Sequence, residues 1–315
     1  MKIAIFCQKA DFNEEQQDKL SQLGEVVYAD RGGEQPIEDW IGLASGADIL
    51  AFDPDAFGGF EKAQDGRLIK LMDSLPNLKG VALATTSFGW IDLDYCRKRN
   101  IVVTNVPFYS TESVAEHATG LLISLAKKII LTDRRTQKGS YRLDMGFELK
   151  GKTLGVIGLG HIGSRVAELG SAIGMRVIAF NRTAKQKENI EMKSLDAVLA
   201  EADAISINLA DSHETKNFIS EKEIAKMKSG VIVVNLASRE IVDEEAMAKA
   251  LQSEKVSAYA FEGEDLENGS LAKIETAIGL QGFGWYTKEA LEKAMEIWTK
   301  NIIALAKNDS SDRVD

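Results

Sequence analysis

The chain has 315 residues, 44% hydrophobic and 27% charged, with a formal net charge of −10. That composition belongs to a soluble folded protein long enough for two domains, and its acidic balance argues against nucleic acid or an anionic membrane as partner, since both need a basic patch. The two cysteines, Cys7 and Cys96, are too few for a disulfide framework, no apolar run reaches the roughly 18 residues of a membrane span, and the start reads as a strand rather than a signal peptide, so a cytoplasmic protein is expected.

Residues 2–6 predict a buried strand. The polar stretch 13–23, with spaced apolar positions, predicts a helix, 26–28 a strand, 37–44 a short helix and 48–52 a strand. Residues 69–73 lie in another helix, ended by Pro76; 80–84 and 101–104 are strands around a helix over 93–99. Such alternation predicts a parallel sheet covered on both faces. From 113 to 128 the chain is long, apolar and uninterrupted, with small residues at Ala115, Ala118 and Gly120: a buried linking helix and a candidate subunit contact. The polar stretch 132–150 reads as a surface arm. A second series of βαβ character then occupies 153–157, 161–172, 175–180, 195–199, 203–207, 224–227, 231–235, 244–251 and 256–261. A glycine and aromatic stretch follows Gly279, then a last helix from 287 to about 306. The polar tail 308–315 is expected to fray.

The stretch Thr153-Leu154-Gly155-Val156-Ile157-Gly158-Leu159-Gly160-His161-Ile162-Gly163 is an apolar run, a glycine turn and a helix start, with G-x-G-x-x-G spacing. Gly158 permits the tight turn, Gly160 lets a pyrophosphate approach the backbone, and Gly163 lets the helix pack on the strand. The helix N-terminus offers N–H groups to the phosphates. A strand before, a helix after and a further strand at 175–180 supply the context for dinucleotide binding; the plainer alternative is a βα turn without a ligand. That second strand ends Phe180-Asn181-Arg182-Thr183. Asn181 stands where an NAD-specific site places an acid for the ribose hydroxyls. An amide spares a 2′-phosphate that repulsion, Arg182 supplies a guanidinium, Thr183 a hydroxyl, and Lys185 adds to the field. This favours NADP(H) over NAD(H), against the alternative of a solvent-facing Arg in a polar turn.

Several stretches resemble the D-isomer-specific 2-hydroxyacid dehydrogenases, in their glycerate/hydroxypyruvate reductase-like branch. They are Val103-Thr104-Asn105-Val106-Pro107, Ser113-Val114-Ala115-Glu116-His117, the run from Gly151 to Gly160, and Val234-Asn235 with Val242-Asp243-Glu244. The resemblance implies an α/β protein with two Rossmann-like domains and doubly wound parallel sheets. A dinucleotide-binding domain (104–282) would be inserted into a flavodoxin-like substrate domain (1–103 and 283–315), with the active site in the cleft and a homodimer as the assembly. It also implies cofactor contacts at Leu159, His161 and Ile162 of the turn, and at Leu209, Ala210, Leu236 and Ala237.

Members of that family reduce a 2-keto acid with an Arg that binds it, a His that donates the proton and a Glu that holds the His; hydride comes from the nicotinamide. The Arg lies in N-x-x-R-G-x-x-V-D, which here reads Asn235-Leu236-Ala237-Ser238-Arg239-Glu240-Ile241-Val242-Asp243. Ser238 takes the Arg position; Arg239 falls one residue late, either reaching the pocket or pairing beside Glu240. The Glu lies in D-V-F-x-x-E-P, here Tyr259-Ala260-Phe261-Glu262-Gly263-Glu264-Asp265, so Glu264 matches and Tyr259 replaces the Asp. The His lies in P-H-x-x-W-Y-T, here Gln281-Gly282-Phe283-Gly284-Trp285-Tyr286-Thr287, so Gly282 replaces it. The chain has only three histidines: His161 is expected at the pyrophosphate, His213 in an exposed loop, and His117 in a structural place.

The carboxylate loop, S-A-G-x-D in the family, reads Thr85-Thr86-Ser87-Phe88-Gly89-Trp90-Ile91-Asp92. Backbone donors at Ser87, Phe88 and Gly89 remain available there. Phe88, Trp90, Phe108, Tyr109 and Trp285 imply a bulky or aromatic small-molecule substrate, with core packing as the plainer alternative. No metal site is expected. The resulting expectation is an NAD(P)-binding oxidoreductase acting on a CH–OH/C=O group, with Tyr259, Tyr286, Lys288 or Glu264 as proton donor and ordinary 2-keto acid reduction weak or absent. The alternatives are an inactive dinucleotide-binding sensor or partner-binding protein, and a different reaction using bound NADP(H).

Overall fold

Two runs of alternating strand and helix build two parallel sheets. The computed structural model describes residues 1–315 except 184–186, 188–189, 211, 213, 265, 310–311, 315 and the side chain of Glu61. The first run is β1 (Lys2–Ile5), α1 (Glu14–Ser21), β2 (Glu25–Tyr28), α2 (Ile37–Ala44), β3 (Ile49–Phe52), α3 (Phe60–Ala63), α4 (Arg67–Asp73), β4 (Gly80–Leu83), α5 (Leu93–Lys98) and β5 (Val102–Thr104). Its five strands lie in the order β2-β1-β3-β4-β5, all parallel. The central strands are continuous apolar runs, Ile-Leu-Ala-Phe and Gly-Val-Ala-Leu, because both faces are covered. On one face Phe6 stacks on Trp40 at 4.3 Å, with Phe52, Phe57 and Trp90 around them.

The second run is α6 (Thr111–Lys127), α7 (Ile129–Gln137), β6 (Thr153–Ile157), α8 (His161–Ala172), β7 (Arg176–Phe180), β8 (Glu191–Met192), α9 (Leu195–Glu201), β9 (Ala204–Ile207), α10 (Glu221–Lys226), β10 (Val231–Asn235), α11 (Glu244–Gln252), β11 (Val256–Glu262) and β12 (Ala277–Leu280). Its seven strands run parallel in the order β12-β11-β10-β9-β6-β7-β8. Finally α12 (Lys288–Ala306) covers the other face of the first sheet, where Trp298 donates from Nε1 to the Ala82 carbonyl at 2.9 Å. The two compact units are therefore Met1–Tyr109 with Lys288–Asp315, and Ser110–Thr287. The boundaries expected at 103/104 and 282/283 lie later, at 109/110 and 287/288.

Four segments differ from the sequence expectation. The stretch 132–150 is not all surface arm: α7 runs through its first part, and Arg135 is buried there at 7% exposure. Its Nε and Nη2 reach Glu275 at 2.8 and 2.6 Å and its Nη1 reaches Asp144 at 2.6 Å, so polarity here signals an internal ion-pair cluster. The tail does not simply fray. Val314 donates to the Val103 carbonyl at 3.0 Å, Asn105 donates to Asp312 at 3.2 Å, and Arg313 bridges Thr104 antiparallel, so the tail pairs with β5. The strands β8 and β12 were not expected; one has two residues and the other contains Gly279, and neither shows a strand pattern. Cys7 is half-buried and Cys96 buried; burial, with Asp11 and Asp53 nearby, pushes the Cys7 thiol well up, so it stays protonated. Among the described residues no helix is long and apolar enough to cross a membrane.

Candidate functional site

The glycine turn sits at the carboxyl end of β6, a strand buried along its whole length. Gly158 has φ +93°, a conformation that favours glycine, and a Cβ there would lie 2.5 Å from the Asn208 carbonyl oxygen. A Cβ on Gly163 would lie 1.9 Å from the Gly158 carbonyl oxygen. A Cβ on Gly160 would meet nothing within 4 Å. Two glycines are thus required by the protein's own packing. The third faces open space at the start of the 12-residue helix α8, whose Ser164 N–H donates to the Gly160 carbonyl at 2.9 Å. That open backbone, at the N-terminal end of a helix, fits a pyrophosphate.

Strand order adds a second argument. β6 has β7 on one side and β9 on the other, so the chain's winding reverses there, which is where open α/β sheets bind ligands. Leu209 and Ala210 follow β9, and Leu236 and Ala237 follow β10, on the same carboxyl edge as the turn. His161 is exposed and Ile162 half-buried. Leu159 is fully buried, so only its backbone faces the turn.

The end of β7 is tied to this turn. Asn181 accepts from the Leu159 N–H at 2.9 Å and donates from Nδ2 to the Thr183 carbonyl at 2.8 Å. The amide thus positions both loops. An acid here would keep the first bond and lose the second, because a carboxylate cannot donate. The Arg182 side chain is 83% exposed and pairs with Glu214. Lys185 and His213 lie outside the described residues.

The other expected residues follow β10, β11 and β12. Arg239 is not free to clamp a substrate. Its Nε and Nη2 reach the Glu244 carboxylate at 2.7 and 2.9 Å, its Nη1 donates to the Glu264 carbonyl, and its guanidinium lies 5.6 Å from the Phe261 ring centre. Gly263 makes room for it: a Cβ there would lie 2.2 Å from Arg239 Cδ. The partner is Glu244 rather than Glu240, which pairs with Lys216. Tyr259, expected among the proton donors, lies in the core. It is 1% exposed, stacks on Phe261 at 4.9 Å, and its hydroxyl accepts from Asn235 Nδ2 at 3.3 Å. Burial pushes that hydroxyl well above the usual tyrosine range. Ser238 is half-buried, and its carbonyl accepts from Asn235 Nδ2 at 3.1 Å. Glu264 is exposed. Gly282 is exposed with open space beside it, and Trp285 and Tyr286 are 38% and 63% exposed.

One residue has more company than its sequence suggested. His117 Nε2 lies 3.3 Å from Glu262 Oε1, and its ring meets Phe283 edge-on at 4.7 Å. Glu262, at the end of β11, had not been singled out. The only signal for the cluster was the one-turn spacing of Ser113 and His117 on α6.

In the first unit, the Ser87 carbonyl accepts from Thr85 Oγ1 at 2.7 Å and Trp90 Nε1 at 2.8 Å. Among the described residues nothing accepts from the amides of Ser87, Phe88 and Gly89. Trp90 is 3% exposed and packs on Phe52, so it is core rather than lining; Tyr109 is half-buried, while Phe88 and Phe108 are exposed.

Known proteins agree with this architecture. Residues 119–280 match the model of the D-isomer specific 2-hydroxyacid dehydrogenase NAD binding domain. The chain is 32% identical over 256 residues to a glyoxylate reductase of Thermococcus litoralis, covering 76% of this chain and 77% of that one. It is 32% identical over 324 residues to an aromatic 2-oxoacid reductase of Clostridium sporogenes, covering 96% and 95%. The structure of D-lactate dehydrogenase with NAD+ from Lactobacillus jensenii superposes with a TM-score of 0.80 at 26% identity, covering 100% and 99%. The chain belongs to the D-isomer specific 2-hydroxyacid dehydrogenase family, as a nicotinamide dinucleotide-binding oxidoreductase.

Proposed function

We propose that this chain reduces a bulky or aromatic 2-oxo acid, that it prefers NADPH, and that it works without the family's usual Arg and His. The observation that carries the reading is the open face of Gly160 between two glycines that the fold itself requires. The cofactor supplies a hydride when bound; the chain's residues bind, orient and protonate. Gly158, Gly160, His161, Ile162 and Gly163 hold the pyrophosphate, with Leu159 contributing backbone. Leu209, Ala210, Leu236 and Ala237 border the rest of the dinucleotide. Asn181, Arg182 and Thr183 take the adenosine ribose, with Arg182 leaving Glu214 for the 2′-phosphate. Both side chains are exposed, and such a pair contributes only about 0–1 kcal/mol, so it is readily exchanged.

In the first unit the open amides of Ser87, Phe88 and Gly89 suit a carboxylate; in the second unit, taken by itself, Trp285 suits an aromatic side chain. The relative that acts on aromatic 2-oxo acids supports that choice. Ser238 and Gly282 stand at the family's Arg and His positions, and Arg239 is committed elsewhere. The proton then comes from an accessible group, Glu264 or Tyr286. A second copy of the chain covers the exposed apolar side chains Ile123, Ile129, Tyr141, Leu143 and Met145, giving a homodimer.

The test titrates the purified protein with NADPH and NADH, then follows cofactor oxidation with phenylpyruvate, pyruvate and glyoxylate. Tighter NADPH binding and slow turnover of phenylpyruvate are expected. NADPH binding with no oxidation by any acid would favour a dinucleotide-binding protein without turnover.

A further inference from the structure

Between β12 and α12 the chain passes through 281–287, and side chains from two other elements converge on one residue of it. Ser113 Oγ donates to the Gly284 carbonyl at 2.5 Å. The Gly284 N–H donates to Glu262 Oε1 at 2.8 Å, and the Phe283 N–H reaches the same oxygen at 3.2 Å. Both backbone polar groups of Gly284 are therefore taken. Ser113 and His117 are one turn apart on α6 and so share a face. The His117 ring fills the space beside Gly284: a Cβ there would lie 2.9 Å from His117 Cδ2 and 3.2 Å from Glu262 Oε1. His117 Nε2 is shielded from solvent and, although 3.3 Å from Glu262 Oε1, lies off the line of a good hydrogen bond. The contact is one of packing.

The outer side of this anchored loop is aromatic. Phe283, Trp285 and Tyr286 are 46%, 38% and 63% exposed, and the Trp285 and Tyr286 rings meet edge-to-face at 5.2 Å. A loose loop would fold such rings down, away from water. Here the backbone beside them is fixed from three sides.

We propose that Ser113, His117 and Glu262 are positioning residues that fix the Phe283–Gly284 backbone, so that Trp285 stands as a pre-ordered face for the aromatic side chain of the substrate. Pre-ordering lowers the cost of binding, because the loop loses little freedom when the ligand arrives. The inference rests on the reading of Trp285 as a substrate-binding residue.

Tryptophan fluorescence isolates the loop. Trp40, Trp90 and Trp298 are 2%, 3% and 3% exposed, so acrylamide quenching reports chiefly on Trp285. In Gly284→Ala, His117→Ala and Glu262→Ala the quenching constant should rise about twofold, and KM for phenylpyruvate should rise about tenfold more than KM for glyoxylate, as expected for one lost buried hydrogen bond or contact. Glu262→Gln keeps an acceptor oxygen and should retain more of the wild-type behaviour than Glu262→Ala. If the larger changes impair folding, Ser113→Ala removes a single hydrogen bond and should move both readouts in the same direction. Unchanged quenching, or KM values for the two acids that rise together, would overturn the proposal. If the wild-type protein oxidises NADPH with neither acid, the reductase reading fails, and quenching alone then decides whether the three residues position the loop.

Discussion

The glycine turn and the loops after β10, β11 and β12 share the carboxyl edge of one sheet but are built from different material. The turn works through backbone: Gly158 and Gly163 are fixed by contacts of 2.5 and 1.9 Å that any Cβ would make, and Gly160 faces open space. The other loops work through side-chain identity. There Arg239 has settled on Glu244, Tyr259 is in the core, and residue 282 is glycine. Substitution at Gly158 or Gly163 works against the fold itself, whereas exposed loop positions such as Gly282 can change with the fold kept and the chemistry altered. Binding and turnover can therefore part company in one chain.

The strongest way to sharpen this contrast is to return the missing side chains. The double variant Ser238→Arg with Gly282→His should raise 2-oxo acid reduction by about 10²-fold or more, the usual worth of general acid catalysis. A Cβ at 282 meets nothing within 4 Å, so the backbone there has room to carry a side chain. Steady-state assays with each acid at saturating NADPH give the comparison. A variant that folds, binds cofactor and stays as slow as its parent would show that more than these two positions separates binding from turnover.

Next come the glycines themselves. Gly163→Ala places a methyl 1.9 Å from a backbone oxygen that cannot yield cheaply. It should lower stability by about 3 kcal/mol, at the upper end of overpacking costs, and abolish measurable cofactor binding. Gly160→Ala meets no protein atom and should leave stability within about 0.5 kcal/mol while weakening NADPH severely. Denaturant titrations paired with NADPH titrations separate the two outcomes. Equal loss of stability in both would erase the distinction between packing and ligand glycines.

The two regions were also unequally legible. Strand–turn–helix periodicity and three glycines were enough to place β6, the turn and α8, because backbone geometry leaves a mark on residue type. The alternating pattern of the first unit was equally plain, since buried parallel strands must be apolar throughout. Arg135 was misread because a buried ion-paired arginine and an exposed one have the same letter. Arg239 was one of two open alternatives, and Glu244, five residues on, decided it. The meeting of His117 with Glu262 joins α6 to the end of β11, and no local pattern encodes that distance. Trp90 and Tyr259 show the same limit, since an aromatic residue does not say which side of the core it faces.

Cofactor choice gives a smaller effect. Arg182→Ala should weaken NADPH by about tenfold and NADH by less than about twofold, because one exposed charged hydrogen bond to the 2′-phosphate is lost. Glu214→Gln tests the same site from the other side. Its carboxylate pairs with Arg182 and would face the phosphate, so removing the charge should tighten NADPH by about two- to fivefold. Equal changes for the two cofactors in either variant would assign Arg182 to the surface alone.

Tyr259 provides the smallest effect and the cleanest check on the loops. Among the described residues its hydroxyl has one partner, Asn235 Nδ2 at 3.3 Å, and its ring is held by stacking on Phe261. Tyr259→Phe keeps the ring and the stack and loses that one long bond, so stability should fall by about 1 kcal/mol or less. Asn235 keeps its bonds to the Ser238 carbonyl and the Ala237 N–H, so the backbone after β10 stays in place. If Tyr259 is only core, kcat changes by less than about threefold, and the same pH profile is seen with phenylpyruvate. A proton donor behaves otherwise, because its removal costs about 10²–10⁴ in rate. A loss of that size, at unchanged NADPH affinity, would mean that Tyr259 leaves the core during turnover and would put the chemistry of these loops back on a side chain that the fold buries.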